Sequence, residues 1–491
     1  MFSAPAISTA RREEHKPYVF LEKGWWKLPT FYMISVGLFG LLFYPAFLVA
    51  VVFLLYQWRH DRYNFLIMFT LLWGGFGLGP FHNMPLSIPA LLTAMVLWFV
   101  MRKPPILKKT LVVLLVYIGF LFIIALLSVE SIKIQIIQMR HFWMILYIIV
   151  PFWVFSGHKF EFDVFLRKTF YFCLVMAMFY LLDAYIISGH IFVPNDSGSN
   201  GSTIFSPAIH PLSGIIYRIY PSGLYLYCLI FIPLIRSYRL TWWQWLLFIG
   251  SLVASQTFTI IMGFVVTFII FQGGFKKLMI WGFGAVVFLV GIYVLDSFLP
   301  TQIHNDSFQS RLRVKSSVDQ FIDLFNAVDD EDIAEFGSGR MAQALPKLDV
   351  VERENRQLIG LGFLHPEKTT LNQYIIENEY YSDVEASIEV STAVEINQVQ
   401  LYIYAGWLGL IVVSGLLLYL YYIIRKLPNA YYYLTVLCLN FMWGFGGFAG
   451  IFTPEGCMTI GISYAAIILS ERERLPGFNC QWLKERRKRL F

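Results

Sequence analysis

The sequence predicts an all-α, polytopic transmembrane helix bundle of about 12–14 passes, with one large external loop holding amphipathic helices. Three observations predict it. Of 491 residues, 57% are hydrophobic and only 14% are charged; an average soluble domain carries roughly 25% charged residues. Apolar runs long enough for helical passes recur along the chain. The basic residues fall in short clusters between those runs, as they do where charge sets orientation in a membrane. A water-facing surface could not be covered by so few polar groups, so a soluble cytosolic enzyme is excluded, as are collagen, coiled coil and intrinsic disorder. The net charge of +6 is dispersed, which gives no nucleic-acid signature.

The apolar runs lie at about 31–56, 63–80, 84–101, 110–128, 141–156, 169–188, 219–235, 242–271, 278–296, 399–424, 430–449 and 456–470. Pro45 interrupts the first, and Ser251, Ser255, Gln256 and Thr257 interrupt the run at 242–271. All basic flanks fall on one side only if both interrupted runs are tight hairpins. That count gives about fourteen helical passes, four of them short, with both termini cytoplasmic. Residues 1–30 then form a cytoplasmic segment. Helices fill 31–296 around an external loop at 189–218, followed by a periplasmic loop at 297–398. Transmembrane helices return over 399–470, and 471–491 is a basic cytoplasmic tail. The first 28 residues lack the apolar core of a removable signal peptide.

The large loop is about 100 residues long, and its acids outnumber its bases about two to one. Loops of that size are usually functional. Ser316–Val328 and Met341–Arg356 have helical spacing of apolar residues, which predicts amphipathic helices. The five cysteines show no CxxC spacing, so neither a disulfide framework nor a metal site is expected.

The external segments hold the candidate chemistry. Arg218, within Tyr217-Arg218-Ile219-Tyr220-Pro221-Ser222-Gly223, stands where the first long loop re-enters the membrane. Arg340 follows Gly337-Ser338-Gly339 in the large loop. Guanidinium groups grip phosphate oxygens in a planar, two-pronged manner and stay charged at any relevant pH. Two of them converging at the outer surface would suit a pyrophosphate; pairing with loop carboxylates or lipid phosphates is the alternative. Leu358-Ile359-Gly360-Leu361-Gly362-Phe363-Leu364-His365-Pro366 is a glycine-rich turn without the context of a nucleotide site. His365 is a candidate base, with a structural role as its alternative. Glu395, Asn397 and Gln398 lie where the chain returns to the bilayer. They could bind sugar hydroxyls or accept a proton, or they are ordinary interfacial polarity. Asp183 sits within an apolar run, and His210 and Tyr217 are weaker candidates.

The order of these features resembles the bacterial O-antigen polymerase and O-antigen ligase superfamily over about residues 210–425. Arg218 with Pro221 and Gly223 resembles its first arginine motif. Arg340 with Gly360, Gly362 and Phe363 resembles the second, and Asn397 with Leu401, Gly406, Leu408 and Gly409 resembles the closing motif. Gln256 stands where the family has Arg after the mid-hairpin Ser. Ile396 stands where the ligase subgroup has His, which favours polymerase over ligase.

The resemblance implies a metal-independent, cofactor-free glycosyltransferase of the bacterial inner membrane, with its active loop in the periplasm. It would take a donor oligosaccharide linked to polyprenyl pyrophosphate, such as undecaprenyl pyrophosphate, and a saccharide acceptor, in O-antigen, capsule or exopolysaccharide biosynthesis. A chain-length regulator would be a further partner. The implied roles are leaving-group stabilisation by Arg218 and Arg340 and deprotonation by Glu395 or His365. Tyr217, Asn397, Gln256 and His210 would contact substrate. A lipid-linked oligosaccharide flippase or other transporter, and a membrane scaffold or sensor, are the alternatives from other classes.

Overall fold

The computed structural model describes residues 44–73, 105–128, 131–185, 206–211, 217–220, 224–237, 240–255, 344–364, 396–445 and 454–471, with Gly263–Val265, Thr267, Phe268 and Ile280 besides. These residues are mostly helical. In chain order they form α1 (Tyr44–His60), α2 (Arg62–Trp73), α3 (Pro105–Leu126), α4 (Ile132–Trp143), a 3-10 turn (Met144–Ile148) and α5 (Ile149–Val154). There follow α6 (Phe162–Tyr185), β1 (Ser206–Pro211), β2 (Tyr217–Tyr220), α7 (Leu224–Ser237), α8 (Trp242–Ser255), α9 (Leu345–Arg353), α10 (Asn397–Ile424), α11 (Ala430–Phe445) and α12 (Pro454–Glu471).

One element departs from the all-α expectation. The loop expected at 189–218 ends in an antiparallel ribbon that pairs Ser206 with Tyr220, Pro207 with Ile219 and Pro211 with Tyr217, with an irregularity between Pro207 and Pro211. Two prolines in six residues rule out a helix there, and a two-stranded ribbon tolerates them because each strand is an edge.

Among the described residues, two helices, Ile106–Leu126 and Asn397–Ile424, are long and apolar enough to cross a membrane by length and composition. They pack together, and each carries a stripe of exposed apolar side chains, including Val112, Val116 and Ile123 on α3 and Trp407, Ile411 and Leu418 on α10. Met144–Val154, Ala430–Met442 and Gly456–Glu471 are shorter apolar stretches.

The centre of the bundle is the turn between α4 and α5. The run expected at 141–156 is longer in the structure and changes pitch partway. Pro151 has no N–H to donate to the Tyr147 carbonyl, so the α-helical ladder cannot run straight through. Tyr147, Ile148, Ile149 and Val150 are fully buried, and α12 lies across them. Around this core, Phe231 of α7 stacks on Phe248 of α8 at 4.0 Å and on Phe170 of α6 at 5.3 Å. Asp61 ties α2 to α6. One carboxylate oxygen accepts from the Tyr63 and Asn64 N–H groups at 3.0 and 3.1 Å, and the other accepts from Lys168 Nζ at 2.9 Å.

Candidate functional site: a glycine strap seated in a broken helix

The first residues of the membrane-length helix α10 meet a strap formed by 355–364. Short helix α9 leads into it, and Asn355 turns the chain with a positive φ of 52°. Arg356 anchors the near end by donating to the Leu127 carbonyl beyond α3. The strap then crosses α10 at Gly406, where φ is 60° and ψ is −160°. That conformation is open essentially to glycine alone, and it divides α10 into Asn397–Ala405 and Trp407–Ile424.

A helix break orphans carbonyls before it and N–H groups after it. The strap supplies partners for both sets. Trp407 N donates to the Gln357 carbonyl at 2.9 Å and Leu408 N to the Leu358 carbonyl at 3.1 Å. In return, Leu361 N donates to the Ile403 carbonyl at 2.8 Å and Gly362 N to the Tyr404 carbonyl at 3.0 Å. Two glycines make the approach possible. A Cβ on Gly360 would overlap the Tyr404–Ala405 peptide, and one on Gly406 would overlap the Gln357 and Leu358 backbone.

The opposite edge of the strap is held from α4 and the turn before it. Buried Gln135 reads both polar groups of one residue: its Nε2 donates to the Phe363 carbonyl at 2.5 Å, and its Oε1 accepts from Phe363 N at 2.6 Å. Ser128 Oγ donates to the Leu361 carbonyl at 2.9 Å. The Phe363 ring lies against Phe142 and Tyr404, with centroids 5.2 and 5.6 Å away. The strap is thus a fixed bridge between α4 and α10.

Beneath it, Ala344, Val350, Val351, Leu361, Leu364, Ile396 and Ile403 form a small apolar cluster of their own. Three candidate segments leave from this cluster. Arg340 is four residues before Ala344, His365 directly follows Leu364, and Glu395 directly precedes Ile396. Arg340, His365, Glu395 and Gln256 themselves lie outside the described residues, as does Ser316–Val328.

Asn397 is the buried first residue of α10. Gln398 donates from Nε2 to the Phe441 carbonyl at 3.3 Å, while its Oε1 is buried without a hydrogen-bond partner. Tyr217 and Arg218 are on β2 and His210 is on β1. Because Pro211 pairs with Tyr217, His210 and Arg218 are the residues next to that pair on facing strands. β2 lies against α8 and α6. Asp183 falls in the last turn of α6.

The structure therefore brings the Gly360–Gly362–Phe363 block onto the Asn397–Gly409 block, the two parts of the large-loop pattern that fall within the described residues. Sequence reading missed Gln135, Ser128 and Lys347. Gln135 sits in Ile132-Lys133-Ile134-Gln135-Ile136-Ile137, which reads as an amphipathic stretch with no mark of a long-range partner. Lys347 was legible: it interrupts the apolar spacing of Ala344, Val350 and Val351. Burial pushes its amine down to about 8. Among the described residues, no group of three or more His, Cys, Asp or Glu could hold a metal ion.

The chain matches no protein-family model. No curated protein matches it either.

Proposed function

We propose that the chain is a multi-pass glycosyltransferase of the bacterial inner membrane that polymerises, or ligates, oligosaccharide units carried on polyprenyl pyrophosphate. The observation that carries the reading is the junction at Gly406. Two separated blocks of the O-antigen polymerase and ligase pattern meet there, at the head of a helix long enough to cross a bilayer. The eighteen residues Trp407–Ile424 extend about 27 Å at ~1.5 Å per residue, close to the ~30 Å apolar thickness of a membrane. On this reading the strap, at the head of that span, lies at one interface of the bilayer.

In the reaction, a hydroxyl oxygen of the acceptor sugar attacks the anomeric carbon of the donor. The carbon–oxygen bond to the diphosphate breaks, the diphosphate leaves with the electron pair, and the hydroxyl proton is lost. Arg218 and Arg340 neutralise the charge growing on the diphosphate; preorganised donors of this kind contribute about 3–4 kcal/mol each. Glu395 or His365 takes the proton. Asn397, Tyr217, His210 and Gln256 contact sugar hydroxyls.

A transporter is the second reading, because broken helices mark many transport sites. In those sites the freed helix ends face the cargo. Here the N–H groups of Trp407 and Leu408 and the carbonyls of Ile403 and Tyr404 are occupied by the strap, which favours transfer over transport.

Purified protein in detergent, given lipid-linked oligosaccharide, tests the proposal. A ladder of products identifies a polymerase, and a single transfer to an acceptor identifies a ligase. No new glycosidic bond returns the chain to transport. Arg218→Ala and Arg340→Ala each abolish product at unchanged protein level; normal product length in either variant overturns the assigned roles.

A further inference from the structure

Helices α3 and α10 pack together, and the strap fixes their directions as opposite. Arg356 donates to the Leu127 carbonyl, just past the end of α3, and the next residue, Gln357, accepts from Trp407 N at the head of α10. From Leu127 back to Lys108 is nineteen residues, and from Gly406 on to Arg425 is also nineteen. At ~1.5 Å per residue both paths cover about 28 Å, which brings Lys108 and Lys109 to the level of Arg425 and Lys426. Helix α12 gives the same placement independently. Its Tyr464 hydroxyl shares a 2.9 Å hydrogen bond with Thr110, beside Lys109, and its Ser470 accepts from Asn429 Nδ2, just past Lys426, at 3.5 Å.

All four cations are exposed, and among the described residues no salt bridge engages them. The start of α6 reaches the same end, where the Phe162 and Tyr432 rings meet at 5.5 Å. The acids described there are Asp61, Glu161, Asp163 and Glu471; Lys168 holds Asp61 at 2.9 Å and Lys159 holds Glu161 at 3.5 Å. Each pair of cations also caps an exposed apolar stripe at helical spacing. On α3, Lys108 and Lys109 are followed by Val112 and Val116; on α10, Leu418 and Tyr422 lead up to Arg425 and Lys426. The Arg425 guanidinium lies over the Tyr422 ring, 4.2 Å from its centroid.

We infer that this rim binds the phosphodiester of an anionic phospholipid whose acyl chains lie along the stripes beneath it. This rests on the membrane placement of α3 and α10 and not on glycosyl transfer. Apolar stems and rings that end in charge match a lipid along its length, tails on the stripe and headgroup at the cations. A zwitterionic headgroup brings its own cation to the rim, whereas an anionic one brings none. The attraction acts within a Debye length of the surface.

The test places the full-length protein in nanodiscs of phosphatidylcholine alone or of equal parts phosphatidylcholine and phosphatidylglycerol. The anionic lipid should raise the melting temperature by about 2 °C or more. About 1 M sodium chloride, which shortens the Debye length to about 3 Å, should remove most of that rise. A variant carrying Lys108→Gln, Lys109→Gln, Arg425→Gln and Lys426→Gln should lose it, while Lys133→Gln, on α4 at the strap end, should keep it. No rise in the wild type, a rise that survives the salt, or one kept by the fourfold variant overturns the inference. So does an equal loss in Lys133→Gln, which would make the effect one of overall charge. Glycerol phosphate added to phosphatidylcholine nanodiscs should leave the melting temperature unchanged; a rise there would make the rim a site for free phosphate. A chain that does not enter nanodiscs at all removes the membrane placement itself, and the inference with it.

Discussion

Among the described residues, glycine brings backbones into contact at two places, and it does so by different physics. At Gly461 a regular helix, α12, lies so close to the 3-10 turn that a Cβ would stand 2.7 Å from Ile148 N. The gain there is dispersion between close-packed apolar surfaces. At Gly406 the helix itself gives way, and the gain is an exchange of backbone hydrogen bonds with the strap. The first contact needs only a missing side chain. The second needs that and a conformation denied to other residues. A contact built on packing can relax by tenths of an ångström, whereas one built on reciprocal hydrogen bonds has a single register. That rigidity suits the edge of a site more than the middle of a core.

The largest effect is expected at the break. Gly406→Ala adds a Cβ against the strap carbonyls and forces an alanine into a glycine-only region, which should destabilise the protein by about 4 kcal/mol. Gly415 lies further along the same helix with open space around it. Gly415→Ala should be neutral or stabilising by up to about 1 kcal/mol. Melting temperatures of the two variants in detergent separate conformation from composition; equal losses would mean that the break carries no special load.

Next comes the buried amine. Lys347 titrates at about 8 in the fold and near its ordinary value of about 10.4 when unfolded. Its burial penalty is therefore fully present below pH 8, where both states are protonated. It is relieved as pH rises through 8 towards 10.4, where only the unfolded chain holds the proton. At about 1.4 kcal/mol per pH unit over that window, Lys347→Met should be more stable than wild type by about 3 kcal/mol at pH 7, and by much less near pH 10. An advantage that does not shrink with pH would place the charge in water.

Much of this architecture is legible in the sequence, and the rest is hidden for a physical reason. Helix α10 follows from an apolar run opened by Asn397, and α9 from spacing within Met341–Arg356. Gly360 and Gly362 read as a glycine-rich turn, and the lack of a preceding strand sets aside a nucleotide site. The meeting of Gly360 with Gly406 is not legible, since a backbone-to-backbone exchange leaves no side-chain signature at either position. Gln135 is hidden for the same reason: it binds the N–H and carbonyl of Phe363, groups that every residue near there possesses. Arg218 stands out in the sequence as a loop cation, but its place on a ribbon depends on Pro207 pairing with Ile219 and Pro211 with Tyr217, and prolines carry no strand signal.

The core contact should be the more forgiving of the two. Gly461→Ala presses on the Ile148 backbone, and overpacking of that kind destabilises by about 1–3 kcal/mol. About 2 kcal/mol is expected, half the effect at Gly406. The atoms that a Cβ would meet are Ile148 N and Cα and the Tyr147 carbonyl carbon, so the backbone sets the spacing there. Ile148→Val added to Gly461→Ala should therefore recover little. A double variant clearly more stable than Gly461→Ala alone would place the spacing in the side-chain layer.

The smallest effect separates the strap's two edges. Ser128→Ala removes the hydroxyl that donates to the Leu361 carbonyl at 2.9 Å and leaves the exchange with α10 intact. Ser128 is only partly buried, so water can reach that carbonyl, and the loss should be about 1 kcal/mol, the net worth of one hydrogen bond. Its value lies in coupling. If the strap is one rigid bridge, loosening its α3 edge should add little once Gly406→Ala has already unseated it. The double variant should then fall short of the sum by about 0.5 kcal/mol or more, the scale of interaction between residues sharing one network. Full additivity would make the two edges independent, and the strap a pair of local contacts rather than one bridge between α4 and α10.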